Sequence, residues 1–251
     1  MQEYDEFAET YQHWTEAENA YRAVEIFSFF SVLGAVKGLN ILDLACGEGR
    51  TARMLLAAGA KSVLGADVSH EMVKRAKEQN ADSRASPGQP KHWTNLNFIE
   101  LDAADAGFQL DAPVDAVTAM YLFHYAATKA ELQRMCDLIS RNLRPGGRFV
   151  TYTISPDYDF NVADPRLMER CGFDYSVVEG NHCTLNIAND KVDIWQWNRQ
   201  EHEECLRTSG LDNIQWHTLK APPGATKIKS EMDFYLSNSS CVVLSATKPT
   251  A

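Results

Sequence analysis

The chain has 251 residues, a length that suits one large domain with a substantial core. Its 24 lysines and arginines are outnumbered by 34 aspartates and glutamates, so the formal charge is −10. This acidity, without a basic cluster, argues against a nucleic-acid partner. No apolar run is long enough to span a bilayer, and the N-terminus lacks a signal peptide's basic start. The six cysteines show no Cys-x-x-Cys spacing, so we expect a cytoplasmic protein with reduced thiols and no metal site.

Residues 40–50 combine a short apolar strand, a glycine turn and the start of a helix. The run 41–44 predicts a buried strand, and Gly47 and Gly49 allow the backbone to turn sharply beside a ligand. A strand, a Gly-rich turn and a helix N-terminus together typically bind nucleotide-type ligands. Asp43 at the strand end would repel phosphates, so it favours a ligand that carries positive charge.

The run LDLACGEG, residues 42–49, resembles the first motif of class I S-adenosylmethionine-dependent methyltransferases. Any doubly wound domain with a tight glycine turn is the alternative. The resemblance implies a single domain over residues 1–251, with a doubly wound, mostly parallel seven-stranded sheet of the Rossmann-like kind. It also implies S-adenosyl-L-methionine, which carries an ammonium and a sulfonium, as the cofactor. The implied cofactor contacts in this motif are Asp43, Ala45, Cys46, Gly47 and Gly49.

Two further acids follow predicted strands. Residues 62–67 read as strand two and end in Asp67, close to the spacing of about 20 residues at which doubly wound folds place a ribose-binding acid. A carboxylate there can accept both ribose hydroxyl hydrogens. Residues 96–101 read as strand three, and the resemblance implies that Asp102 after it binds the adenine amino group. The other implied cofactor contacts are Tyr11, Val68, Met72, Ala103 and Met120.

Residues 1–37 predict an N-terminal helical cap. The pattern at Tyr4, Asp5, Ala8 and Tyr11 resembles the cap of small-molecule methyltransferases, which folds over cofactor and substrate. An amphipathic helix that packs its aromatic side chains on the core is the alternative. A second helix over residues 17–36 would end at Gly38.

The second half of the chain predicts the rest of the sheet and an insertion. Residues 114–119 and 149–154 read as strands four and five, and residues 214–217 and 241–246 as closing strands. Capping-box patterns predict helices that begin after Thr128 and Asn198. Residues 155–193 break the alternation with short strand-like runs, which predicts a β-rich insertion over the carboxyl edge of the sheet on the substrate side.

Methyl transfer needs a base only if the nucleophile arrives protonated. His124 follows strand four at the ligand edge and is the candidate base, because it titrates near neutrality. A packed histidine bonded to backbone is the alternative. Tyr4, Tyr11 and Tyr152 are candidates for orienting the substrate through their hydroxyls.

Residues 121–126 and 152–156 resemble the toxoflavin-type N-methyltransferases of small heterocycles. The resemblance implies a small, planar, mostly neutral acceptor of secondary metabolism, methylated on nitrogen in preference to oxygen. An Asn-Pro-Pro-Tyr motif is missing after strand four, which argues against methylation of nucleic-acid bases. A protein methyltransferase, a member that binds cofactor without methyl transfer, and a NAD-dependent enzyme are the alternatives. We expect a monomer or a weak homodimer.

Overall fold

The computed structural model describes residues 20–81, 94–162, 164–187, 190–223 and 229–250. The helices in these ranges are α1 (Ala20–Leu33), α2 (Arg50–Ala57), α3 (His70–Ala81), α4 (Lys129–Asn142), α5 (Leu167–Cys171), α6 (Arg199–Thr208) and α7 (Lys229–Asn238). The strands are β1 (Asn40–Leu44), β2 (Ser62–Asp67), β3 (Leu96–Glu100), β4 (Val114–Met120), β5 (Leu143–Ile154), β6 (Phe173–Glu179), β7 (His182–Ile187), β8 (Asp190–Trp195), β9 (Asp212–His217) and β10 (Cys241–Thr247). Short 3₁₀ turns cover Phe123–Tyr125 and Phe160–Val162.

The main sheet has seven strands in the order β3-β2-β1-β4-β5-β10-β9. Strands β1 to β5 pair in parallel, and β10 is antiparallel to both of its neighbours. This confirms the predicted doubly wound, mostly parallel sheet. Strands β2 and β3 lie on one side of β1 in this order, and β4 and β5 lie on its other side, so the strand order reverses between β1 and β4. The carboxyl ends of β1 and β4 therefore border the crevice where such folds bind ligands.

The central strands are apolar because helices cover both faces of the sheet. One buried cluster includes Leu132 of α4, Leu206 of α6 and Leu44 of β1. The cluster on the other face includes Phe29 of α1 and Leu55 of α2. The core thus lies on both sides of the sheet and leaves its carboxyl edge for a site. Among the described helices, none combines the length and apolarity that a membrane crossing requires.

Both predicted capping boxes form. The Thr128 hydroxyl accepts a hydrogen bond from the Glu131 backbone N–H at 3.2 Å, and the Glu131 carboxylate accepts from the Thr128 N–H at 3.0 Å. Asn198 and Glu201 make the same reciprocal pair at the start of α6. Each box satisfies two backbone donors that a helix start leaves unpaired.

The end of α1 and the presence of two helices differ from prediction. The sequence placed the helix end at Gly38, but Gly34 adopts a φ of 72° directly after Leu33 and its N–H donates to the Phe30 carbonyl. Glycine at this left-handed position is a common helix terminator. Helices α5 and α7 were not predicted, because α5 is short and α7 has no clean apolar stripe at helical spacing.

The β-rich insertion forms a separate antiparallel sheet in the order β6-β7-β8. Val192 and Ile194 of this sheet pack with Ile154, the last residue of β5, and with Phe160. Tyr125, on the 3₁₀ turn after β4, packs against the same cluster. The insertion therefore stands beside the carboxyl ends of β4 and β5, as the sequence predicted.

We predict that Gly65→Ala destabilises the fold. A Cβ at Gly65 of β2 would lie 2.6 Å from the Phe98 ring of β3 and 3.0 Å from the Cys46 sulfur. Overpacking of this kind costs about 1–3 kcal/mol of unfolding free energy, measured by chemical denaturation. The control is Gly107→Ala, whose added Cβ would lie 3.4 Å from the nearest atom, an oxygen of the Asp105 side chain. Its unfolding free energy should stay within about 0.5 kcal/mol of the wild-type value. Equal stability of the two variants would contradict the prediction.

Candidate active site

A cavity of about 290 Å³, the large cavity, lies at the carboxyl edge of the main sheet. Its walls come from the segments that follow β1, β2, β3 and β4 and from α4. Parallel strands bring their carboxyl ends to one edge, so residues distant in sequence meet here. The predicted cofactor residues on its wall are Ala45, Gly47, Asp67, Val68, Met72, Asp102, Ala103 and Met120.

The turn after β1 has a left-handed backbone conformation that residues other than glycine rarely adopt. Ala45, Gly47 and Gly49 have φ values of 50°, 54° and 83°. A Cβ at Gly49 would lie 2.5 Å from the Phe98 ring, so this position requires glycine for both backbone and space. Gly49 lines neither cavity described here; it fixes the turn and begins α2.

The Asp67 carboxylate joins the turns that follow β1 and β2. One oxygen accepts the Gly47 N–H at 2.7 Å, and the other accepts the Ser69 N–H at 2.9 Å. The Ser69 hydroxyl in turn accepts the Met72 N–H at 3.1 Å. These bonds fix the carboxylate at the cavity wall, where its oxygens can act only as hydrogen-bond acceptors when ionised.

Asp43 lies behind the cavity wall and is 1% exposed. Its Oδ1 accepts from the Thr118 hydroxyl at 2.7 Å, across the β1–β4 pair, whereas its Oδ2 has no hydrogen-bond partner among the described residues. Burial raises the pKa of Asp43 to about 7; the Asp67 charge raises it further, and the Thr118 bond opposes the shift. A buried carboxylate with an unsatisfied oxygen suits a cationic ligand group.

The opposite end of the large cavity is mostly apolar. Met72, Leu101, Leu122 and Met135 contribute to its walls. Asp102 lies at the rim, where its Oδ1 accepts the Ala104 N–H at 2.8 Å. Apolar walls with one carboxylate at the edge can hold a flat base that presents an amino group.

A second cavity of about 50 Å³, the small cavity, adjoins the large one. Both cavities share Ala45, Gly47, Met120 and Tyr121, which we call the seam. The rest of its wall comes from α1 and from the turn and helix after β1. These residues are Arg22, Ile26, Cys46, Glu48, Arg50 and Thr51.

The structure places His124 and Tyr152, the predicted catalytic residues, away from the cavity surfaces, since neither residue lines either cavity. His124 is 3% exposed, and burial, with a smaller effect of His202, lowers its pKa to about 3. Tyr152 is fully buried, and its hydroxyl pairs with that of Tyr235 at 2.7 Å. Both side chains pack behind the cavity wall. Tyr4 and Tyr11 lie outside the described residues.

Sequence reasoning missed two parts of the site. It named the segment after β4 and chose His124 from it as the candidate base. Tyr121 is the residue of that segment that belongs to the seam. Sequence reasoning also missed Arg22 and Glu25, which are buried on α1 and form an ion pair at 2.6 Å. A charged pair at i, i+3 within an otherwise apolar helix was the available signal.

Comparisons with known proteins identify the enzyme class. Residues 41–147 match a family model described as a methyltransferase domain. The demethylmenaquinone methyltransferase of Clavibacter sepedonicus is 27% identical over 197 residues, which cover 74% of this chain and 71% of that protein. These findings show that the chain is an S-adenosylmethionine-dependent methyltransferase whose matched methyltransferase domain spans residues 41–147.

Two further similarities agree with this class. The crystal structure of an S-adenosylmethionine-dependent methyltransferase from Mesorhizobium loti superimposes with a TM-score of 0.64 at 22% identity, over 91% of this chain and 100% of that one. The ubiquinone biosynthesis O-methyltransferase of Leptothrix cholodnii is 26% identical over 155 residues, 59% of this chain and 61% of that protein. S-adenosylmethionine is the cofactor, and the unpaired Asp43 oxygen fits its positive charge.

We predict a pH-dependent gain in stability for Asp43→Asn in the ligand-free methyltransferase. Between about pH 4 and pH 7 the folded protein keeps a proton on Asp43 that the unfolded chain has released. The unfolding free energy of the wild type therefore falls as pH rises through this window. Relative to the wild type, the variant should gain about 1–4 kcal/mol between about pH 4 and pH 8, measured by denaturation. Asp111→Asn, in an exposed loop, is the control, and a gain independent of pH would contradict the prediction.

Proposed function

We propose that this methyltransferase transfers a methyl group to a nitrogen atom of a small, planar, aromatic or heterocyclic metabolite. The observation that carries the proposal is that two tyrosines and an isoleucine lie at or beside the seam. Tyr121 lies where the two cavities meet, Ile26 borders the small cavity and Tyr125 borders the large one. Tyrosine rings beside apolar side chains suit a planar ring better than a flexible peptide.

We assign the three acids to three parts of the cofactor. Asp67 would accept the ribose hydroxyls, Asp102 would accept from the adenine amino group, and Asp43 would neutralise the ammonium. Strands β3, β2 and β1 lie side by side in the sheet, so Asp102, Asp67 and Asp43 follow the order adenine, ribose and ammonium along the cofactor. When bound, the cofactor supplies a methyl group activated by a sulfonium.

The chemistry at the cavities favours nitrogen over oxygen. Among the described residues, no histidine lines either cavity, and the buried His124 is a weak base. An amine reaches the site with a lone pair, whereas a phenol must first lose its proton. The nitrogen lone pair forms the new bond to the methyl carbon, the electron pair of the broken bond leaves with sulfur, and the excess N–H proton passes to water. The chain aligns the nitrogen, the methyl carbon and the sulfur for this displacement.

The similarity to two proteins with quinone-related names supports a ring-shaped acceptor. A toxoflavin-like heterocycle is the finer form of this proposal and rests on the sequence resemblance alone. The predicted cytoplasmic location, the role in secondary metabolism and the monomeric or weakly dimeric state also stay predictions.

A methylation assay tests the acceptor class. The purified chain and S-adenosylmethionine are incubated with an aminoquinoline, a hydroquinone, a catechol and a lysine-containing peptide, and products are identified by mass spectrometry. We expect N-methylation of the heterocyclic amine at a rate at least about tenfold above the rates for the two phenolic acceptors, because no described histidine lines either cavity to take the phenol proton. Methylation of the peptide alone would contradict the proposal.

Asp67→Asn should weaken binding of S-adenosylhomocysteine by about 1–3 kcal/mol in calorimetry, because a neutral amide replaces a charge-assisted acceptor. The control is Asp105→Asn. Asp105 also accepts a backbone N–H, from Gly107 at 2.7 Å, but lies outside the cavity wall. An unchanged dissociation constant for Asp67→Asn would show that Asp67 does not bind the ribose.

A further inference from the structure

Tyr121 occupies an unusual backbone position at the seam. It follows the last residue of β4 and has a φ of 64°, which places a bulky non-glycine residue in the left-handed region. Its N–H donates to the Tyr152 carbonyl at 2.8 Å, which holds the backbone there. Strained positions of this kind persist only where the surrounding structure enforces them, and they cluster at functional sites.

The ring of Tyr121 is supported from behind by two buried aromatic side chains. Tyr152 packs edge-on at a centroid distance of 5.2 Å, and His124 packs edge-on at 5.9 Å. The Tyr152 hydroxyl is already engaged with Tyr235. The two residues that the sequence suggested as catalytic therefore form the support of a third.

The hydroxyl of Tyr121 is directed by a charged pair on α1. It donates a hydrogen bond to Oε1 of Glu25, and Oε2 of Glu25 accepts from Arg22 at 2.6 Å. Glu25 is 1% exposed, and Arg22 borders the small cavity. Burial, with the Glu25 charge as a smaller cause, raises the pKa of Tyr121 well above its ordinary value, so the phenol keeps its proton and is no general base.

A phenol that donates its proton to Glu25 still has lone pairs on its oxygen. We infer that Tyr121 contacts the acceptor at the seam, accepting a hydrogen bond from its N–H, and that Glu25 is the positioning residue that holds the phenol there. The acceptor is then a primary or secondary amine, whose remaining lone pair is free to meet the methyl group. This inference rests on the proposed function, because it takes the seam as the place of transfer.

The test compares two cofactor analogues by calorimetry. Sinefungin carries an amine in place of the transferred methyl group, and S-adenosylhomocysteine has nothing there. Tyr121→Phe keeps the ring and removes the oxygen. It should raise the dissociation constant of sinefungin about five- to tenfold, the effect of one hydrogen bond. The dissociation constant of S-adenosylhomocysteine should change by less than about twofold.

Further variants separate positioning from stability. Glu25→Gln should lower the melting temperature, because the charged carboxylate that pairs with Arg22 is lost. It should also raise the ratio of the sinefungin dissociation constant to the S-adenosylhomocysteine dissociation constant about threefold. It should have no further effect on this ratio when combined with Tyr121→Phe. Tyr235→Phe, which removes another buried hydroxyl, is the matched control and should leave the ratio unchanged.

Each outcome decides a separate point. Equal weakening of both analogues by Tyr121→Phe, or no weakening of either, would overturn the inference while the proposed function stands. An additive effect of Glu25→Gln in the Tyr121→Phe background would overturn the positioning role of Glu25. Failure of the wild type to bind either analogue would overturn the proposed cofactor site together with this inference.

Discussion

The wall of the large cavity depends on the two hydrogen bonds that the Asp67 carboxylate accepts from backbone N–H groups. The carboxylate holds the backbone of Gly47 and of Ser69 at once, so the turn after β1 and the start of α3 keep a fixed separation. The left-handed backbone at Ala45 and Gly47 would relax without such a tie, because isolated turns gain little from these conformations. The same side chain is therefore both a scaffold element and a candidate ligand contact.

Packing beneath this turn sets a second constraint. The ring of Phe98 fills the space above Gly65 and reaches Gly49, so β1, β2 and β3 are held together just below the cavity. Neither glycine can carry a side chain there. The glycine pattern of the motif thus reflects the close approach of a neighbouring strand as well as the approach of a ligand.

Much of the fold could be predicted from sequence because local signals agreed with it. Apolar runs located the strands, and the acids at Asp67 and Asp102 marked their carboxyl ends. The same reasoning named eight residues that the structure brings to the wall of the large cavity. The acceptor side could not be predicted in this way, because it is built by contacts between distant residues. Nothing local shows that Glu25 meets Tyr121, 96 positions away, or that His124 turns inward.

The separation between these residues also has a consequence for how the enzyme matures. The glycine turn and its Asp67 tie need only the chain from β1 to β2, a segment of neighbouring strands with a short loop closure. The pairing of Glu25 with Tyr121 needs α1 and β4 in place, and the support from Tyr152 needs β5, so the seam is built from contacts of much higher contact order. A partly folded chain can hold the turn before it holds the seam. Assembly of the seam is then a later and more demanding step for the folding chain than formation of the glycine turn.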